Sequence, residues 1–60
     1  MKKASILIVE DEQIVAMDIW NTLENYGFQV AGQTDRGEDA ITKARDLHPD
    51  LILMDINLKG

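Results

Sequence analysis

The chain has 60 residues, no cysteine and a formal net charge of −5. So short a chain makes at most one small domain, marginal on its own, and no disulfide or thiolate metal site can staple it. The acidic balance excludes nucleic-acid binding by this segment, because phosphate backbones need Lys and Arg, and suits a metal cation or a basic partner surface.

Lys2 and Lys3 precede the apolar run of residues 6–9 (ILIV). That run is too short for a signal core or a membrane span, so the expected location is the cytoplasm, with no membrane association. Residues 5–9 (SILIV) are continuously apolar and rich in β-branched side chains. A strand buried on both faces of a parallel sheet reads this way. Glu10, Asp11 and Glu12 follow at once. From residue 12 to 26 the period becomes helical, with Val15, Ala16, Ile19, Trp20, Leu23 and Tyr26 on one arc and Asp18, Asn21, Glu24 and Asn25 on the other. Ile14 and Met17 fall on the polar arc. Gly27 is a natural C-terminal stop.

Residues 28–33 (FQVAGQ) alternate weakly and predict a second strand nearer an edge. Asp35 and Glu38 have the spacing of a capping box, and Asp39 adds charge to the first turn of the helix that follows. That helix, over roughly 38–47, carries a narrow apolar stripe of Ala40, Ile41, Ala44 and Leu47. His48 and Pro49 end it, with His48 expected to cap the helix or face solvent. Residues 50–55 (DLILMD) form the third strand, again apolar up to Asp55.

Strands alternating with helices predict an α/β fold with parallel pairing and right-handed crossovers. The first and third strands read as central neighbours, with the weaker second strand outside the first. The expected order is 2-1-3, the beginning of a flavodoxin-like doubly wound sheet. Ligands in such sheets bind beyond the carboxyl ends of the strands, where the strand order reverses. Both strands at that point end in acids: Glu10 and Asp11 after the first, Asp55 at the end of the third. Clustered carboxylates repel one another, and a hard divalent cation resolves the conflict. Magnesium favours one or two carboxylates, a carbonyl, waters and a phosphate oxygen. The backbone carbonyl of Asn57, on the loop leaving the third strand, can turn toward the same ion. Each acid also has a plainer reading: Asp11 as a cap of the first helix, Glu10 and Glu12 as charges near its N-terminus, Asp55 as a turn residue.

ILIVEDE before an amphipathic helix, GEDA opening a second helix, and PDLILMDINL together resemble the receiver domain of two-component response regulators. The resemblance spans all 60 residues and makes 1–60 the N-terminal half of such a domain, truncated to β-α-β-α-β. It implies that Asp55 accepts a phosphoryl group from a histidine kinase or phosphotransfer protein. It also implies that Glu10 and Asp11 hold Mg2+, with Asp55 and the Asn57 carbonyl completing the protein ligands, and that the chain is an acceptor rather than an enzyme. The face of the first helix bearing Ile14, Met17 and Asp18 would be where the phosphodonor docks. The family's switch hydroxyl and phosphate-contacting lysine lie on later strands, absent from these 60 residues. The competing expectation is therefore an inert structural half-domain. In either case the open third strand is expected to drive self-association. A flavodoxin-like cofactor site is disfavoured, because the first strand-helix turn, EDEQ, is acidic and lacks glycine.

Overall fold

The structure is a computed structural model that describes residues 3–55, the last of them by its backbone. The elements run β1 (Ser5–Glu10), α1 (Gln13–Asn25), β2 (Gln29–Thr34), α2 (Gly37–Leu47) and β3 (Leu51–Asp55). The sheet has the order β2-β1-β3, and both pairings are parallel. This is the predicted topology, with the edge position of β2 and the central position of β1 as expected.

The pleat of β1 divides the core in two. Leu7 and Val9 pack with Ala40 of α2 and the partly buried Ala44. Ile8 packs on the other face with Ala16 and Val30, under Ile19, Trp20 and Leu23. Apolar residues on both faces are why β1 is continuously hydrophobic: each face meets a different helix. The alanines at the contact points of α1 and α2 let both helices sit close to the strand.

The two ends of the sheet are fastened differently. At the amino ends, Asp50 bridges to β1: its N–H donates to the Ser5 carbonyl at 2.8 Å, and its Oδ2 accepts the Ser5 N–H at 2.7 Å. This reciprocal pair sets the register in which β3 enters, running from Ile6 opposite Leu51 to Glu10 opposite Asp55. At the carboxyl ends, Thr34 is buried and its hydroxyl donates to Asp39 Oδ2 at 2.7 Å, tying β2 to the first turn of α2.

Several expectations are corrected. Tyr26 does not share the packed arc of α1: it is the C-cap residue and is 77% exposed. The helix has already ended there, and Gly27 turns the chain away at φ +92°. Asp35 and Glu38 do not form a capping box. The N-cap of α2 is Arg36, without a side-chain cap. Thr34 Oγ1 accepts the Arg36 N–H at 3.3 Å instead, and Thr34 engages Asp39, so the β2 threonine organises the turn. Ile41 lies outside the packed stripe, 71% exposed, because α2 meets the sheet through Ala40 and Ala44. As expected, β3 is an open edge among the described residues, and its Leu51, Ile52 and Met54 side chains are exposed. His48 caps α2 in the left-handed region, φ 49°, and is exposed, as expected of a helix-end residue.

β2 holds one feature that the sequence pattern hides. Ile6 pairs with Val30 but Leu7 pairs with Gly32, so Ala31 is an extra, bulged residue. A bulge reverses which residues beyond it face which side. Gln33 therefore aligns with Ile8 and shares the α1 face, while Thr34 aligns with Val9 and shares the α2 face. Gly32 lies on the α2 face, where a Cβ would stand 3.2 Å from Leu47 Cδ1, so the Leu47 side chain would have to shift slightly to admit one.

Candidate functional site

The carboxyl ends of β1 and β3 bring the predicted acids to one place. Glu10 is the last residue of β1 and the Cα partner of Asp55, the last residue of β3. The site thus stands at the carboxyl end of the sheet, where β1 leaves to α1 on one face and β2 leaves to α2 on the other.

The three consecutive acids after Val9 have separate environments. Glu10 is only 3% exposed, and its Oε1 accepts the Glu12 N–H at 3.1 Å. Asp11 is exposed, in the bend between β1 and α1. Glu12 is the N-cap residue of α1 and makes no side-chain cap. The plainer reading of Asp11 as a cap does not hold, since it precedes the N-cap position. The N–H of the cap residue is met by Glu10, a carboxylate folded back at the helix entrance, where negative charge is favourable.

These residues fit a hard cation in donor chemistry: oxygen ligands at the end of a central strand, one on a buried backbone segment and one open to solvent. Among the described residues, no group of three His, Cys, Asp or Glu side chains is assembled into a metal cage. The set expected from sequence includes Asn57, which lies outside the described residues, and Asp55, which is placed here by its backbone register.

The other predicted residues fall as follows. Ile14 and Met17 are 84% and 61% exposed on α1, and Asp18 is exposed beside them. Met17 also lines a shallow groove with Trp20, Asn21 and Gln33. A separate cleft of about 270 Å³ opens above the ends of β1 and β2, lined among others by Glu10, Gln13, Ala16, Gln33, Asp39 and Lys43. Lys43 Nζ stands 4.0 Å from Asp39 Oδ2 in that wall. Gln33 and Thr34 were not singled out from sequence as site residues. The signal that could have found them is the small pair Ala31-Gly32 inside a strand, which marks a bulge or a close backbone approach.

A model of the response regulator receiver domain matches residues 6–60. The chain belongs to the response regulator receiver family. The response regulator GacA of Pseudomonas viridiflava is 43% identical over 56 residues, covering 92% of this chain and 26% of that protein. The chemotaxis protein CheY of Thermotoga maritima is 34% identical over 53 residues, covering 88% of this chain and 44% of CheY. The crystal structure of the signal receiver domain of a modulated diguanylate cyclase from Desulfovibrio desulfuricans G20 superposes with a TM-score of 0.85 at 44% identity. It covers 95% of this receiver chain and 46% of the other. The receiver sequence described here therefore spans between about a quarter and a half of the lengths of these relatives.

Proposed function

We propose that this receiver segment is the phosphoacceptor part of a two-component signalling protein, with Asp55 as the acceptor. The observation that carries the reading is the register of β1 and β3, which pairs the backbone of Asp55 with Glu10, next to Asp11, at the carboxyl ends of two adjacent parallel strands. In the proposed step a carboxylate oxygen of Asp55 attacks the phosphorus of a phosphohistidine. The O–P bond forms as the N–P bond breaks, and the imidazole leaves with the electron pair and takes up a proton. Glu10, Asp11, Asp55 and the Asn57 carbonyl would hold Mg2+. A cation held there would supply neutralisation of charge on the transferring group and help align it.

The phosphodonor is a histidine kinase or phosphotransfer protein, and its proposed docking surface is the exposed face of α1 with Ile14, Met17 and Asp18. The chain acts as an acceptor, not as a turnover enzyme, and works in the cytoplasm. Among the described residues no helix is long and apolar enough to cross a membrane. The exposed β3 edge supports a further proposal, self-association of the isolated segment.

Labelling with acetyl phosphate and Mg2+ tests the assignment in the intact protein. Wild type should acquire an acid-stable, base-labile acyl phosphate, and Asp55→Asn should acquire none, because an amide is not a nucleophilic carboxylate. Undiminished label on the Asn variant would sink the assignment.

A further inference from the structure

The geometry points to Gln33 as a positioning residue for the Glu10 carboxylate, an inference that rests on the metal-dependent reading above. The bulge at Ala31 places Gln33 on the α1 face, opposite Ile8 and two residues short of Glu10 on the neighbouring strand. Gln33 and Glu10 then line one cleft, with Gln13 and Ala16. Without the bulge, Gln33 would face α2 and have no access to that cleft.

Gln33 is partly buried at the wall of this cleft. The Oε1 of Gln33 is buried and has no hydrogen-bond partner. A buried acceptor left unsatisfied costs stability that an apolar side chain of the same length would not. What the amide brings is a donor, its NH2 group. Of the other donors in the cleft, the Thr34 hydroxyl donates to Asp39 at 2.7 Å, and Lys43 Nζ stands 4.0 Å from the same carboxylate. Gln13, on the first turn of α1, is exposed. Glu10 is already held on one side by the Glu12 N–H. An amide donor offered from β2 across this cleft would fix the plane of the carboxylate, which is what a ligating carboxylate needs from the groups behind it.

The test separates this role from a structural one. Gln33→Met keeps the length and removes the donor. Measured by calorimetry on the intact protein, its Mg2+ affinity should fall about tenfold, the lower end of losses for groups that orient metal ligands. Its thermal midpoint without Mg2+ should be unchanged or higher, because the unsatisfied oxygen is gone. Gln29→Met, at the exposed start of β2, should leave the affinity unchanged. An unaltered affinity in Gln33→Met overturns the role of Gln33 while leaving the metal reading intact. A Gln33→Met protein that is less stable or unfolded without Mg2+ also overturns it, since Gln33 would then be structural. Absence of Mg2+ binding by the wild type overturns the metal reading itself, and this inference with it.

Discussion

Glu10, Asp11 and Glu12 are chemically near-identical neighbours that the fold assigns to different work. Glu10 is buried and bonded at the entrance of α1, Asp11 stands open in the bend, and Glu12 starts the helix. In the proposed metal-dependent reading, the first two would serve an ion between β1 and β3, and Glu12 would not. Asp11→Ala should therefore weaken Mg2+ binding by about tenfold or more, the scale of loss seen even for groups one step removed from a metal. Glu12→Ala should change it little, because an exposed charge at a helix start acts only through a screened field. Calorimetric titration of the two variants side by side decides the matter. Equal losses would mean that the acids act as a diffuse negative field and not as ligands.

At the scale of the elements, the junction of α1 and β2 depends on one backbone conformation. Gly27 has φ +92°, and a Cβ added there would meet nothing within 4 Å. A substitution thus acts on the backbone alone, without any steric clash. Gly27→Ala should cost about 1–2 kcal/mol, the penalty for an L side chain in the left-handed region. Urea unfolding should show a lower midpoint with an unchanged slope. That stop was legible in the sequence, as were element order, parallel pairing and the central place of β1, because continuous apolar runs and helical periods report burial directly. The residues that misled were those governed by local geometry. Tyr26 kept the helical period one residue past the end of α1. Asp35 and Glu38 matched a capping pattern that Thr34 pre-empted through Arg36 and Asp39. The Ala31 bulge shifted Gln33 and Thr34 onto faces that simple alternation does not give. Of the candidate site, the positions of Glu10, Asp11 and Asp55 were legible because Glu10 and Asp55 end strands and Asp11 follows directly; Gln33 was not, because its place depends on the bulge.

At the scale of the whole molecule, the two edges of the sheet are unequal. The β2 edge is interrupted by the bulge and carries Gln29 and Gln33. The β3 edge is regular along its whole pairing with β1, uncharged between Asp50 and Asp55, and bordered by exposed Leu51, Ile52 and Met54. A regular apolar edge is a template for pairing with another chain, and a segment this small has little core to offset the exposure. On their own, these 60 residues should associate through β3. A closed two-fold is the commonest arrangement. With its axis normal to the sheet it makes the new pair antiparallel, in the order 2-1-3-3-1-2, with the two Asp55 sites at opposite ends. A register with Leu53 opposite Leu53 sets Ile52 against Met54 and keeps Asp50 from facing Asp55, so like charges do not oppose. Sedimentation should show a dimer or larger species that dissociates on dilution. Leu53→Lys, which puts a charge at the two-fold axis, should shift the segment toward an unfolded monomer. A well-folded monomer at high concentration, with slow amide exchange along residues 51–54, would contradict this pairing, because an unpaired edge strand exposes half its N–H groups to solvent.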